Sequence, residues 1–527
     1  MKVRTDIVKM YKEVHGWVGI TSGLALFIAF YAGAFTMFEE PLQRWASAPS
    51  TLAAAPSIER TPELVEKVIA AHPEAAEDYH VNLVIDGNYP ARVSWSTGGR
   101  GDEHSPQKTY YASLDGNGEL QVSEDGPSPV AEFIDVLHQQ VGLPFSHEIS
   151  MVIMGAICLL YCIAIVSGVV VLLPSLVKDL FALRMGKNVK RMWLDMHNVL
   201  GLFSIPFHII MALTAIVFAF HDQFYDAQDY VFGPGERGVN ASAPAPEGDP
   251  LSVSALVERL NIQAPGFKPV TIDYGWSPDG ILSARVGGTD ARYGLRGPTL
   301  GFAMVNPYNG DITGKDYLPG MQDGWAASVT SFFALHFGNF GGATVRWAYF
   351  LLGLAGAMLF FTGNLLWIES RRKKERKAGL PEQTRSTRIL GALTVGVPLG
   401  CIAGISVTLA AAKLLGGGSS YGLHSAVYYA IFLAFSIGAY IRGPARAGVE
   451  LSLAAAIATL LIPASSLLRG AEWYNGGGSV LVDITAVVIS AVLFMAMKSA
   501  RKRAQDGPVD SIWAARKFEA AGQSGSD

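Results

Sequence analysis

Residues 16–38 read GWVGITSGLALFIAFYAGAFTMF and carry no charged side chain. A membrane-crossing helix needs about 20 mainly apolar residues, so this stretch is long enough to span a bilayer. Only 16% of the 527 residues are charged, whereas a soluble protein carries roughly a quarter. Seven further apolar stretches lie at 149–177, 196–221, 347–368, 389–412, 421–441, 451–468 and 478–497. The sequence therefore predicts a polytopic α-helical membrane protein with about eight spans.

The segments between these spans alternate in charge. Segments rich in Lys and Arg lie before span one and after spans two, four, six and eight, at 2–12, 178–191, 371–377, 442–446 and 498–503. Basic loops stay on the cytoplasmic side of a membrane. The alternation therefore predicts a protein of the bacterial inner membrane with both termini cytoplasmic.

Charge and cysteine content exclude several classes of protein. A formal net charge of −4 gives no basic field for nucleic acid, so membrane lipid is the expected surrounding and nucleic acid is not a partner. Cys158, Cys162 and Cys401 lie inside apolar runs, so no disulfide framework is expected. The sequence also contains no C-x-x-C-H, zinc, phosphate-loop or dinucleotide motif.

The chain contains an internal duplication. Val14-His15-Gly16-Trp17-Val18-Gly19 begins span one, and Met196-His197-Asn198-Val199-Leu200-Gly201 begins span three. Leu137-His138 precedes span two, as Leu335-His336 precedes span four. The ends of spans two and four also correspond, as Ser167-Gly168 and Thr362-Gly363. The two halves run in the same direction, so an axis along the membrane normal should relate them.

Each half also carries a long segment outside the membrane. These segments, 39–136 and 222–334, each begin with a predicted helix and continue with strands that end at Gly-rich turns, so both are predicted to be small α+β domains. The predicted division of the chain is 1–38 with span one, 39–136 as the first outer domain, 137–221 with spans two and three, 222–334 as the second outer domain, 335–388 with span four, 389–498 with spans five to eight, and 499–527 as a cytoplasmic tail.

Four histidines occupy duplicated positions and form two predicted pairs. His15 and His197 lie at the cytoplasmic edge, and His138 and His336 lie at the outer edge. Ionisable groups at membrane depth are functional candidates by default, and haem iron accepts axial imidazole. We therefore expect these pairs to bind haem iron. The alternative is that duplication copied four histidines that only cap helices.

The other histidines are weaker candidates. His208 shares a helix face with His197, about 16 Å farther along, and is expected to line the route between haems, to serve as another ligand, or to be a hydrogen-bonded core residue. Three more lie near the outer edge and are expected either to contact substrate or haem propionates or to be plain interfacial residues, namely His147, His221 and His424. The last three lie in the first outer segment and are expected to be solvated, namely His72, His80 and His104.

The paired Leu-His elements, the span start at 196–201, and the turns Asp115-Gly116-Asn117-Gly118 and Asn306-Pro307-Tyr308-Asn309-Gly310 resemble the PepSY-associated transmembrane helix family. This family includes iron-regulated inner-membrane proteins and haem-containing siderophore reductases. The resemblance covers about residues 8–375 and implies two periplasmic PepSY-like domains and two haem b groups. By position, it implies that His15 and His197 bind the cytoplasmic-side haem, and that His138 and His336 bind the periplasmic-side haem.

The first reading is therefore an enzyme, a di-haem reductase that moves electrons outward to a ferric siderophore or other ferric chelate. The electron donor is expected to be a quinol or a separate reductase, and no catalytic residue is identified. Because the four duplicated histidines precede spans five to eight, that block is not expected to be needed for holding haem.

Two alternatives stay open. One is a non-enzymatic PepSY membrane protein that binds peptide or restrains a protease. The other is a permease, which the sequence weakens because no span of the added block is expected to carry a buried charge pair.

Overall fold

The computed structural model describes residues 4–97, 108–175, 189–232, 248–276, 281–380, 382–470, 478–508 and 511–515. Their helices are α1 Thr5–Thr36, α2 Glu39–Ala46, α3 Thr61–Ala71, α4 Val130–Gln139, α5 His147–Leu172, α6 Val189–Phe203, α7 Ile205–Ala219, α8 His221–Phe232, α9 Val253–Gln263, α10 Gly324–Phe337, α11 Gly342–Lys377, α12 Arg385–Leu415, α13 Tyr421–Arg442, α14 Pro444–Arg469 and α15 Gly478–Asp506. The strands are β1 Asp78–Asn82, β2 Val93–Thr97, β3 Lys108–Leu114, β4 Leu120–Ser123, β5 Lys268–Trp276, β6 Leu282–Thr289, β7 Gly301–Val305 and β8 Ile312–Gly314.

Contacts divide the chain into two compact units. The helical unit comprises Met1–Ala46, Pro129–Ala219 and Phe350–Asp527. The sheet unit comprises Ser47–Ser128 and Phe220–Tyr349. Each unit thus collects parts of both halves of the duplication.

The predicted spans are helical. Seven described helices are long and apolar enough to cross a membrane, namely α1, α5, α11, α12, α13, α14 and α15. An eighth span is obtained when α6 and α7, which form a bent pair, are taken together. The chain is therefore a multi-pass, mostly helical membrane protein. Basic residues 178, 184 and 187, and the end of the predicted tail, lie outside the described residues.

Span three is bent rather than straight. The axes of its two helices differ by 68° across a break at Ser204. Pro206 follows the break, and proline has no backbone N–H to donate to the carbonyl four residues earlier, here that of Leu202. The missing hydrogen bond and the proline ring explain why one predicted span becomes two helices.

Spans five and six pack through glycine. Gly396, Gly400 and Gly404 recur every four residues on α12, so they share one helix face. A Cβ at Gly396 would lie 2.8 Å from the Cα of Ser436, and one at Gly404 would lie 2.8 Å from a ring carbon of Tyr428. Small residues let membrane helices approach closely, so this face fixes α12 against α13.

The added block shares its core with the first half of the chain. Buried residues of α1, α2 and α4, including Tyr31, Trp45 and Phe133, form one hydrophobic cluster with residues of α12 to α15, such as Cys401 and Tyr428. The four extra spans are therefore built into the helical unit.

The strands of both outer segments form a single antiparallel sheet. Its order is β4-β3-β2-β1-β5-β6-β7-β8, so the two halves meet where β1 pairs with β5. The α+β segments predicted as two domains thus share one sheet. The order reads the same outward from the junction in both directions, which is the symmetry expected of a duplicated unit.

One face of this sheet is covered and the other carries polar side chains. Leu64 and Val68 of α3, and Leu256 and Leu260 of α9, are buried in one cluster with alternate residues of the strands. On the opposite face, His80 Nδ1 lies 2.7 Å from Asp273 Oδ1 across the junction. The side chains of His80 and His72, both expected to be solvated, are 35% and 31% exposed, each beside a carboxylate, while His104 lies outside the described residues.

Candidate functional site

The His15 ring of α1 lies against α5. Its Nδ1 is 2.9 Å from the carbonyl oxygen of Ala164 and 3.3 Å from the hydroxyl of Ser167. A carbonyl only accepts, so Nδ1 carries the proton and Nε2 keeps its lone pair. Gly168 leaves room for the ring, because a Cβ there would lie 3.0 Å from Cε1 of His15.

The His197 ring of α6 makes the same contacts with α11. Its Nδ1 is 3.1 Å from the carbonyl oxygen of Leu359 and 3.2 Å from the hydroxyl of Thr362. Gly363 faces the ring, and a Cβ there would lie 3.4 Å from Cε1. We call this arrangement of a carbonyl, a hydroxyl three residues later and a glycine four residues later a histidine socket. The duplication therefore produced two copies of one complete socket.

The two sockets bring their histidines together. The ring centroids of His15 and His197 are 6.1 Å apart, with planes at 70°. A histidine nitrogen binds a transition metal at about 2.0–2.1 Å, so two imidazoles on opposite sides of one ion have centroids roughly 6 Å apart. Neither Nε2 has a hydrogen-bond partner among the described residues. The spacing of the two rings is therefore compatible with one metal ion between them, and haem is the group whose iron these imidazoles would hold.

His138 of α4 has a similar environment on α1. Its Nδ1 is 2.8 Å from the carbonyl oxygen of Ala29. Gly33, four residues after Ala29, faces the ring, and a Cβ there would lie 2.6 Å from Nδ1 of His138. His336 lies on α10 in the sheet unit, with its ring 5.7 Å from that of Phe337. Because His138 and His336 belong to different units, their pairing stays a prediction.

Carboxyl groups lie near His138. Glu39 of α2 lies close to Glu132 and Asp135 of α4, and burial together with repulsion by Asp135, Glu40 and Glu132 raises the pKa of Glu39 to about 7. Burial also raises the pKa of Asp135, although the charge of His138 opposes this. This end of α4 therefore holds carboxyl groups that protonate unusually easily.

His208 is a buried core residue. It is 2% exposed, its Nδ1 lies 2.5 Å from Tyr161 Oη, and aromatic rings including those of Phe30 and Phe360 surround it. The burial and the hydrogen bond agree with the interpretation of His208 as a core residue, while its Nε2 has no partner among the described residues and a role between the haems stays a prediction.

The remaining candidates are separate from the sockets. His147 begins α5, and His221 is an exposed residue of α8 whose Nε2 lies 3.0 Å from Asp222. His424 of α13 is only 1% exposed and packs near Phe133, and neither of its ring nitrogens has a hydrogen-bond partner among the described residues. His424 is therefore enclosed by the protein in the first turn of α13, and its predicted place near the outer edge stays a prediction.

Buried charged residues do occur in the added block. Lys413 of α12 is 0% exposed and Asp483 of α15 is 8% exposed. Trp45 connects them, because its Nε1 donates to Asp483 at 3.1 Å while Lys413 Nζ lies 4.2 Å from the Trp45 rings. The expectation that the block lacks a buried charge pair was wrong, because both residues lie near span ends and only the folded helices enclose them. The objection to the permease reading is therefore removed.

No three His, Cys, Asp or Glu side chains are arranged as a metal site in the part of the chain that the structure describes. The arrangement present is the pair of facing imidazoles of His15 and His197.

Comparison with known proteins identifies the family. A search of curated proteins finds no match to this chain. A family model described as PepSY-associated TM region matches residues 12–370. This range includes all four duplicated histidines and ends before spans five to eight, in agreement with the extent of the resemblance seen in the sequence. The chain belongs to the PepSY-associated TM family.

Proposed function

We propose that this protein is a di-haem reductase of the bacterial inner membrane, which delivers electrons from the cytoplasmic side to a ferric siderophore or another ferric chelate in the periplasm. The observation that carries the proposal is the repeated histidine socket. Two copies, on α5 and α11, hold His15 and His197 with Nδ1 protonated and their rings 6.1 Å apart.

The role of the sockets is to orient their histidines. A carbonyl that accepts from Nδ1 fixes both the tautomer and the ring plane, so that Nε2 is the nitrogen presented to a metal. Hydrogen bonding through Nδ1 also makes Nε2 a stronger electron-pair donor to a metal. When bound, haem would supply one-electron chemistry.

The four predicted ligands would hold two haem b groups. His15 and His197 would hold the one nearer the cytoplasm, and His138 and His336 the one nearer the periplasm. The orientation rests on the alternating basic loops. A quinol or a separate reductase is the proposed donor, because the sequence has no dinucleotide fingerprint.

The ligand assignment predicts that the two haems can be lost separately. In His15→Ala and His197→Ala variants, the purified protein should keep about one haem, because no neighbouring apolar side chain can replace an axial ligand. His138→Ala and His336→Ala should each remove the other haem and stop reduction of an external ferric chelate in proteoliposomes with an internal donor. Haem per chain is measured by the pyridine haemochrome method.

His221→Ala serves as the matched control, because His221 is exposed and outside the sockets, and it should keep two haems. In His15→Gly, added imidazole should restore the lost absorption bands. If all four alanine variants keep two haems with unchanged spectra, the assignment is wrong. If they lose haem but reduce the chelate at the parental rate, the haems are not on the electron path.

A further inference from the structure

Arg296 of the sheet unit lies between two aromatic rings. Its guanidinium carbon is 3.9 Å from the ring centroid of Tyr317 and 5.4 Å from that of Phe333. A guanidinium has five N–H donors, yet those of Arg296 meet no acceptor and no carboxylate among the described residues, and its Nε is buried. Such a cation lacks the anion that a half-buried guanidinium normally has.

The position of Arg296 is tightly fixed. Asn339 accepts a hydrogen bond from the N–H of Leu295 at 3.0 Å and donates to the carbonyls of Leu295 and Gly297 at 3.1 and 2.7 Å. Gly294 packs so closely on α10 that a Cβ there would lie 2.6 Å from that of Ala334. The loop carrying Arg296 is therefore held on both sides of that residue, by the packing of Gly294 on α10 and by the hydrogen bonds of Leu295 and Gly297 to Asn339 just beyond the end of α10.

A second arginine on the same stack of rings provides a contrast. Tyr317 stacks on Phe302 with ring centroids 4.2 Å apart, and the guanidinium carbon of Arg285 lies 5.2 Å from the Phe302 ring centroid. Arg285 is neutralised by Asp273, 2.9 Å away. The stack thus has one compensated cation, Arg285, and one uncompensated cation, Arg296, which lies against Phe333 of α10.

The uncompensated cation lies near a predicted haem ligand. Phe333, which covers the Arg296 guanidinium, precedes His336 by three residues on α10, and residues three apart are neighbours on a helix surface. A planar guanidinium with free donors binds a carboxylate through two parallel hydrogen bonds. We propose that Arg296 is the receptor for a carboxylate group that binds beside His336.

Two molecules could bring that carboxylate. One is the propionate of the haem proposed at His336, and the other is the carboxylate of an anionic ferric chelate that reaches the sheet unit. The first source rests on the proposed function, whereas the second requires only the sheet unit. Both place a negative group on the same guanidinium, so the same variants test them.

The test compares full-length wild-type protein with Arg296→Gln, Arg296→Lys and, as the matched control, Arg285→Gln. Two quantities are measured, the midpoint potentials of bound haem by redox titration, and the affinity for ferric citrate by calorimetry, with a neutral ferric trihydroxamate as the uncharged probe. If the carboxylate is a propionate, Arg296→Gln lowers one of the two midpoint potentials, because a positive charge beside the haem is lost, and leaves the affinity for ferric citrate unchanged.

If the carboxylate belongs to a soluble chelate, Arg296→Gln weakens ferric citrate binding about tenfold or more. In that case the trihydroxamate affinity and both potentials stay constant. In Arg296→Lys, which has the positive charge but not the planar guanidinium, either effect should be smaller than in Arg296→Gln. In Arg285→Gln, neither effect should occur. The proposal is overturned if Arg296→Gln changes neither quantity, or if Arg285→Gln changes them equally.

This experiment separates the two proposals. Wild-type protein without haem would contradict the reductase, while the calorimetric comparison would still decide whether Arg296 receives a carboxylate. Wild-type protein with two haems, but with potentials and citrate affinity independent of residue 296, would contradict the carboxylate receptor alone.

Discussion

A glycine one turn beyond a backbone carbonyl determines whether a histidine ring can reach that carbonyl. A Cβ built at Gly33 would lie 2.6 Å from Nδ1 of the histidine it faces, one at Gly168 would lie 3.0 Å from Cε1, and one at Gly363 would lie 3.4 Å from Cε1. Since tightly packed interiors tolerate little overlap, the three glycines should differ in how strictly they are required.

Alanine substitutions should therefore have graded effects. We expect Gly33→Ala to displace His138 and lose its haem, Gly168→Ala to lower haem content partly, and Gly363→Ala to stay near the parental content, because 3.4 Å is an ordinary contact. Haem per chain and the absorption spectrum are the measurements. Gly19→Ala is the control, since a Cβ there meets nothing within 4 Å. Greater loss in Gly363→Ala than in Gly33→Ala would contradict this account.

The sequence predicts the socket histidines but not what holds them. His15 and His197 stand out because duplication placed them in matching contexts. Their partners are main-chain carbonyls of Ala164 and Leu359, 149 and 162 residues away, and any residue supplies a carbonyl. Only the matching Ser167-Gly168 and Thr362-Gly363 pairs marked these positions, and their role emerges from the packing of helices.

At the scale of single elements, the junction of β1 and β5 joins the two halves of the duplication. His80 faces Asp273 in the strand register, and Asp273 also bonds Arg285. Burial lowers the pKa of His80, but the hydrogen bond and charge of Asp273 outweigh it, so the pKa lies above its ordinary value of 6.5. The native sheet thus holds this proton more tightly than the unfolded chain.

This linkage predicts a pH-dependent effect of His80→Asn. A raised native pKa gives stabilisation that is complete below pH 6.5 and is lost as pH rises through the native value. The variant should therefore lose about 0.5–1 kcal/mol in mildly acid buffer and less at alkaline pH, because the pair is partly exposed and Asp273 retains Arg285. Denaturation of the full-length protein, followed by aromatic fluorescence, measures the difference.

His72→Asn is the control for this experiment. His72 is similarly exposed, but its carboxylate partner, Glu74, lies two residues away and not across strands. An effect of His80→Asn that grows with rising pH would contradict the assigned direction of the pKa shift.

At the scale of the whole molecule, the added spans support the first half of the chain. Helix α4, which carries His138, contributes Phe133, Ile134 and Leu137 to the cluster formed with α12 to α15. The sockets of His15 and His197 lie on α5 and α11 instead. The order of residues along the sequence predicts that the added spans are not needed to hold haem. Packing predicts instead that they are needed to hold α4, which carries His138.

A chain that ends after Gly379 should keep the haem assigned to His15 and His197 and lose the one assigned to His138. Its α2 and α4 would lack the close packing on which membrane helices depend, and Trp45 would lose its hydrogen bond to Asp483. Spectra and haem content of detergent-stable truncated protein give the answer. Retention of two haems would show that α4 stays in place without the block.

The spans and the family could be predicted from the sequence, because an apolar run of about 20 residues is a local signal. The bend in span three also had a local signal, the proline at position 206. Hydropathy alone does not detect it, because the apolar run is continuous across Pro206. The shared sheet had no local signal in the sequence. An alternating pattern predicts a strand, but it does not predict which strand of another segment pairs with it. For the same reason, the environment of Lys413 and Asp483 is visible only after helices distant in sequence have packed.

The junction between β1 and β5 has a consequence for biosynthesis. His80 and Asp273 are 193 residues apart, and helices α5, α6 and α7 lie between them in the sequence. While the ribosome makes those helices, β1 has β2 on one side and an open edge on the other. Open edges are templates for wrong partners, and pairing between distant segments is slow. The nascent chain is therefore most vulnerable to aggregation and proteolysis in this interval, which ends when β5 is delivered to the same side of the membrane.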